Sequence, residues 1–204
     1  MGLNLLGSPG PRYYPPAAEE AGMSEIETRC LDTFPKWLNS LADDATELAA
    51  IVEDGSKPEP LKRYAAASLN YLFKSLDLIP DGIEDLGFLD DAFVLRVAAD
   101  LALEEHAAAK DDAPKLVALA GDAALIRELL GDDYPRLETY VKGLKTGTAR
   151  GRSVDAILAD DQIRREFLHE VSGWSKSYEG PSFTRDEKNL VKLKSFLSAK
   201  LPQA

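Results

Sequence analysis

From Ile26 onward, apolar residues recur along the chain at spacings of three and four. This is the spacing that places side chains on one face of an α-helix. The first such run reaches Val52, and Pro35 interrupts it, which predicts two helices or one kinked helix. Its apolar positions are Ile26, Cys30, Phe34, Trp37, Leu41, Leu48 and Val52.

The same spacing predicts further helices along the rest of the chain. Between Ala92 and Leu103 only Arg96 and Asp100 are polar, and a helix that is apolar nearly all round is a central, buried one. No segment alternates apolar and polar residues as a half-buried strand does. The sequence therefore predicts an all-α fold, a multi-helix bundle around a central helical hairpin. The other helices are expected at about 60–76, 113–121, 122–131, 134–144, 154–178 and 185–201.

Local composition divides the chain into four parts. Residues 1–22 are rich in proline and glycine, which predicts a flexible N-terminal extension. Residues 23–145 form the predicted acidic helical core. Residues 146–152 are a predicted basic linker, and residues 153–204 are a predicted C-terminal helical extension.

Helix ends carry recognisable capping patterns. Ser24 with Glu27, and Thr184 with Glu187, have the spacing of capping boxes. Ser153 is also expected to cap a helix.

The net charge of the chain limits the classes of molecule that it can bind. The net charge is −11 over 204 residues, and residues 1–136 hold 26 acidic and 12 basic side chains. Nucleic-acid binding needs clustered lysine and arginine, so we expect no nucleic-acid partner. The single cysteine, Cys30, excludes an intramolecular disulfide and suits a reducing compartment. No apolar run has the length of a membrane-spanning helix. We expect a cytoplasmic protein without membrane contact.

Six carboxylates within 15 residues mark the strongest candidate site. Hard divalent cations prefer several oxygen ligands at close range, so this segment is a candidate site for Mg²⁺, Mn²⁺ or Ca²⁺. An EF-hand register fails, because Ile79, Pro80 and Phe88 stand where that loop needs other residues. A different metal site, one able to support hydrolysis, would use Asp77, Asp81, Asp90 and Asp91. The six acids are Asp77, Asp81, Glu84, Asp85, Asp90 and Asp91.

Helix capping is the favoured interpretation of the same acids. Asp81 and Glu84 have the spacing of a capping box for a short helix that Gly87 would end. Asp90 or Asp91 would then cap the next helix, where a negative charge also suits the helix N-terminus.

Arg96 is a second candidate, since it follows this segment on the mostly apolar helix. A buried arginine normally pairs with a carboxylate. We expect Arg96 to pair with Asp100 or with one of the preceding acids. Anion or substrate binding is the alternative.

Two short motifs, Asp77-Leu78-Ile79-Pro80-Asp81 and Leu86-Gly87-Phe88-Leu89-Asp90-Asp91, resemble those of the YkvA-like family, a bacterial domain of unknown function. The resemblance covers about residues 48–105. It departs at residues 74–76, where the family has a Ser-Pro element, and at residues 82–85, which are more acidic here. It implies an α-helical hairpin around the turn, and it brings no catalytic residue.

We therefore predict a non-enzymatic helical module with a structural or protein-interaction role. Its partner would be another protein or a second copy of the chain, and no small-molecule substrate is identifiable. The alternative is a divalent-metal-binding protein or a metal-dependent hydrolase that uses residues 77–91.

Overall fold

A computed structural model describes residues 23–75 and 77–203. It confirms the all-α prediction, with eight α-helices in the described part of the chain. The flexibility predicted for residues 1–22 lies outside the described residues. The helices are α1 (Glu25–Glu53), α2 (Glu59–Tyr71), α3 (Leu89–Glu105), α4 (Pro114–Leu130), α5 (Tyr134–Leu144), α6 (Val154–Ala159), α7 (Asp161–Ser177) and α8 (Glu187–Lys200). Short 3-10 helices cover Ala107–Lys110 and Gly131–Asp133.

Helix α3 lies at the centre of the molecule. All of its residues from Leu89 to Leu103 are buried except Asp100, as its apolar sequence predicts. It packs against α2 and α4, and also against α1 and α5. The antiparallel pair α2 and α3 is the predicted central hairpin.

Helix α1 forms one wall of the core. It runs without interruption through Pro35. The predicted capping box is present at its start, where Ser24 N donates to the Glu27 carboxylate at 2.9 Å and Glu27 N donates to Ser24 Oγ at 3.4 Å. Phe34 and Trp37, on either side of Pro35, both reach the ring of Phe93 on α3.

The predicted linker contains a small β-hairpin. Strands β1 (Thr148–Ala149) and β2 (Arg152–Ser153) pair antiparallel across Arg150 and Gly151. Both turn residues have positive φ, 47° and 77°, as two-residue hairpin turns of type I′ require. The role of residues 146–152 as a linker between the helical core and the C-terminal extension stays a prediction.

Several predicted helix boundaries differ from those in the structure. The two helices predicted over 113–121 and 122–131 form one continuous helix, α4, and the helix predicted over about 60–76 ends at Tyr71. The helix predicted over 154–178 divides at Asp160, which caps α7 by accepting from Gln162 N and Ile163 N at 2.8 and 3.0 Å. The Thr184 capping box is wrong, because Asp186 caps α8 by accepting from Lys188 N at 2.9 Å.

Helices α7 and α8 pack directly on α1, and the segment that joins them adds further contacts with the core. Tyr178 Oη donates to the Leu38 carbonyl at 2.9 Å, and the ring of Phe183 meets Phe34 edge-on at 6.2 Å. Arg136 on α5 donates to the Ser198 and Leu201 carbonyls at 2.9 and 2.8 Å, and so satisfies carbonyls at the end of α8. Within the described residues, no helix is both long enough and apolar enough to span a bilayer.

Candidate functional site

We call residues 77–91, which connect α2 to the start of α3, the acidic corner. A short helix was predicted over the middle of the acidic corner, but residues 81–87 form successive turns instead. Asp85 and Phe88 adopt the left-handed conformation, with φ of 65° and 63°, and such residues interrupt a right-handed helix. The Asp81 and Glu84 capping prediction is therefore wrong.

Gly87 is the point of closest backbone approach in the acidic corner. A Cβ atom at this position would lie 2.0 Å from the Asp81 carbonyl oxygen. The φ angle of Gly87 is not positive, so contact, not backbone conformation, requires glycine here. Gly87 was predicted as a helix stop, and the structure gives it a different role.

Asp90 joins the end of α2 to the acidic corner. Its side chain is fully buried, and its Oδ2 accepts from Tyr71 Oη at 2.6 Å and from Ile79 N at 2.9 Å. Tyr71 Oη in turn accepts from Leu78 N at 2.8 Å. Asp90 Oδ1 is buried and has no hydrogen-bond partner among the described residues.

The first turn of α3 contains both Asp90 and Asp91, but neither makes the predicted capping hydrogen bond. The capping position is occupied by Phe88, which has no side-chain oxygen. The two carboxyl groups still lie where the helix dipole favours negative charge.

Burial raises the pKa values of the four acids that were candidates for metal binding. It raises the pKa of Asp77 to about 6, with the Asp81 charge adding to the effect, and it also raises the pKa of Asp81. The pKa of Asp90 rises to about 6 because burial outweighs the hydrogen bonds from Tyr71 and Ile79. Burial and the neighbouring acids raise the pKa of Asp91 well above its usual value.

Asp85 connects the acidic corner to the segment before α8, about 100 residues away in the chain. Its Oδ1 accepts from Thr184 N at 2.7 Å, and its Oδ2 accepts from Asn189 Nδ2 at 3.2 Å. Burial acts to raise the pKa of Asp85, but these hydrogen bonds together outweigh it and lower the pKa below its usual value. Asn189 also donates to the Thr184 carbonyl at 2.9 Å, which fixes the bend before α8.

Aromatic side chains from the end of α7 cover the acidic corner. The ring centroid of Phe88 lies 5.3 Å from that of Tyr178 and 6.5 Å from that of Trp174. Burial raises the pKa of Tyr178, and the charges of Asp91 and Asp81 raise it further. Tyr178 therefore lies close to the buried acids.

Arg96 has different partners from those predicted. Its guanidinium donates to Asp122 through Nε and to Asp44 through Nη2, both at 3.0 Å, and to the Ala92 carbonyl at 3.1 Å. It is 2% exposed and lies 4.4 Å from the centre of the Trp37 ring. Asp100, the predicted partner, pairs with Arg127 instead. Two carboxylates and one backbone carbonyl therefore accept from Nε, Nη2 and Nη1 of the guanidinium group.

The described residues contain no group of three or more histidine, cysteine, aspartate or glutamate side chains placed to hold a metal ion. The carboxyl groups of Asp77, Asp81, Asp90 and Asp91 influence one another electrostatically, but the structure assigns them no common ligand. The metal site stays a prediction.

The sequence patterns did not identify five residues that take part in these contacts. Tyr71 and Tyr178 had no predicted role, although the Tyr71 hydroxyl makes a buried hydrogen bond to Asp90 and the Tyr178 hydroxyl makes a partly buried one to the Leu38 carbonyl. Asp44, Asp122 and Asn189 lie 26 to 104 positions from their partners, and no local spacing connects them. A buried tyrosine beside an acidic turn was the one available signal, since buried hydroxyls normally find a partner.

Part of the α2–α3 hairpin matches the sequence model of a described protein family. Residues 62–96 match the family described as Protein of unknown function (DUF1232). The match covers the acidic corner and ends at Arg96. Comparisons with curated proteins and with solved structures gave no significant match. The DUF1232 match supports a domain of unknown function, and the finer YkvA-like assignment stays a prediction.

Proposed function

We propose that the chain is a non-enzymatic helical module in which the acidic corner is a structural joint between the central hairpin and the C-terminal helices. The hydrogen bonds of Asp85 carry this proposal, because they tie the corner to Thr184 and Asn189. Asp90 supports it, since its Oδ2 holds the end of α2 and the backbone of Ile79 together. In this role the carboxylates act on other parts of the chain, not on a substrate.

Divalent-metal binding is the competing function, and thermal unfolding separates the two. A ligand that binds only the folded state raises the unfolding midpoint. We expect an unchanged midpoint when millimolar Mg²⁺, Mn²⁺ or Ca²⁺ is added at pH 7. A rise that disappears in the Asp81→Ala/Asp90→Ala double variant, with the variant still folded, would contradict the joint and favour a metal centre.

The outer face of α8 is the surface that we propose for protein interaction. Its exposed residues include Lys188, Val191 and Lys192, and Val191 is 60% exposed. Residues 185–200 hold five basic and two acidic side chains, whereas residues 1–136 are strongly acidic. Opposite charges of this kind favour docking onto the acidic surface of a second copy of the chain.

Sedimentation velocity tests this surface. We expect self-association that weakens as salt is raised, because exposed charge contacts are screened, and that disappears in the Lys188→Glu/Lys192→Glu variant. The double variant Lys110→Glu/Arg165→Glu makes the same change of charge at exposed positions elsewhere and should associate like the parent. A monomer at low salt, or equal loss in both variants, would contradict self-association through α8.

A further inference from the structure

Asp90 and Asp91 are adjacent buried acids, and no cation among residues 23–75 and 77–203 lies against them. They are 0% and 3% exposed, respectively. Asp90 Oδ1 has no hydrogen-bond partner among the described residues. In the described part of the chain, neither side chain forms an ion pair with lysine, arginine or histidine.

Arg96, by contrast, is a buried charged residue with partners of opposite charge. Its guanidinium lies between Asp44 and Asp122, 3.0 Å from an oxygen of each. An ionised carboxylate that is buried without such a partner strongly destabilises the folded state. Two ionised carboxylates side by side cost more, because they repel each other.

The titratable groups that face this pair supply little positive charge. The one lysine in the set, Lys74, donates its ammonium group to Tyr140 Oη at 2.9 Å, and its charge acts on Asp77. The tyrosines can offer only neutral hydroxyl donors, and the hydroxyl of Tyr178 already donates to Leu38. The facing groups are Tyr71 and Lys74 from α2 and the turn after it, Asp77 and Asp81 from the acidic corner, Tyr140 from α5, and Tyr178 after α7.

We propose that the Asp90–Asp91 pair is a proton-binding site that holds at least one proton at neutral pH and makes the folded state more stable at acidic pH. A proton on the pair removes the repulsion and one buried charge. The proposal goes beyond the structural joint, whose hydrogen bonds from Asp85 stand whether or not the pair titrates.

The direction of the pH dependence follows from the raised pKa values. A carboxyl group whose pKa is higher in the folded state than in the unfolded state binds its proton more tightly when folded. Its stabilising contribution is complete below the unfolded value, about 3.9, and is lost as the pH rises through the folded value. That value is about 6 for Asp90 and is also raised for Asp91.

Carbon-13 NMR titration of the aspartate carboxyl groups tests the proposal on the unmodified chain. We expect the Asp91 carboxyl carbon to keep the shift of a protonated acid at pH 7. Full ionisation of both Asp90 and Asp91 at pH 7 would overturn the proposal.

An isosteric variant provides a second measurement. Asp91→Asn replaces the carboxyl group with a neutral amide, so its unfolding midpoint relative to the parent should rise by about 5 °C between pH 5 and pH 8. Asp111→Asn makes the same charge change on the surface and should show no such rise. If Mg²⁺, Mn²⁺ or Ca²⁺ at pH 8 stabilises the parent but not Asp91→Asn, a cation and not a proton neutralises the pair, and the proposal fails. The metal melts at pH 7 test the joint separately.

Discussion

Replacing Gly87 with alanine is expected to lower the free energy of unfolding by about 3 kcal/mol, at the upper end of what overpacking costs. The added Cβ would lie 2.0 Å from the Asp81 carbonyl oxygen and 2.8 Å from its carbon. Both atoms belong to the backbone, so no side chain can rotate away from the contact. The acidic corner itself must open, which also moves the Ile79 amide that donates to Asp90.

Gly82 offers a matched control five residues earlier. A Cβ at Gly82 meets no atom within 4 Å, and its φ is not positive. Gly82→Ala should therefore be neutral or stabilising by up to about 1 kcal/mol, because it restricts the unfolded chain. Urea unfolding of both variants measures the difference. Equal stabilities would show that the corner does not have the close approach described.

Removing the side chain of Arg96 is the second large change. Arg96→Ala should cost about 3–5 kcal/mol, because it leaves the largely buried carboxylate of Asp44, which is 17% exposed, without its cation. It also removes the stacking of the guanidinium on Trp37. Burial already raises the pKa of Asp44 against the opposing effect of Arg96, so the variant should be least stable at high pH, where Asp44 must ionise.

An exposed arginine in a single ion pair is the control for Arg96. Arg29 lies 2.9 Å from Glu128, and both side chains are about half exposed, at 50% and 51%. Exposed pairs contribute only about 0–1 kcal/mol, so Arg29→Ala should change little. If the two variants lose the same stability in urea, the buried ion cluster around Arg96 does not stabilise the fold.

Helix positions were predictable because they depend on local apolar spacing. The run from Ile26 to Val52 lies in α1, and the nearly uniform apolar sequence after Ala92 lies in the central α3. The capping box at Ser24 was predictable for the same reason, since both partners lie within one helical turn.

Predictions for the acidic corner failed where distant residues decide the geometry. Asp85 was assigned to a short helix, but it adopts a positive φ and accepts hydrogen bonds from a segment about 100 residues away. Asp90 was predicted to cap a helix, but its carboxylate accepts a hydrogen bond from Tyr71 on the preceding helix instead. The cluster of acids was visible in the sequence, whereas its partners could be identified only after folding brought them together.

The most direct test of the structural joint is amide hydrogen exchange in α8 after removal of the Asp85 carboxylate. Asp85→Gly is the suitable variant, because glycine tolerates the φ of 65° at this position. Asp32→Ala is the control, since Asp32 contacts the same segment through Arg185 at 3.1 Å but both side chains are half exposed.

The joint predicts that exchange in α8 becomes at least about 10-fold faster in Asp85→Gly, because hydrogen bonds to a charged group contribute about 1.5–3 kcal/mol. Exchange in α2 should change less, and Asp32→Ala should resemble the parent. Unchanged protection of α8 in Asp85→Gly would contradict the claim that the acidic corner holds the C-terminal helices in place.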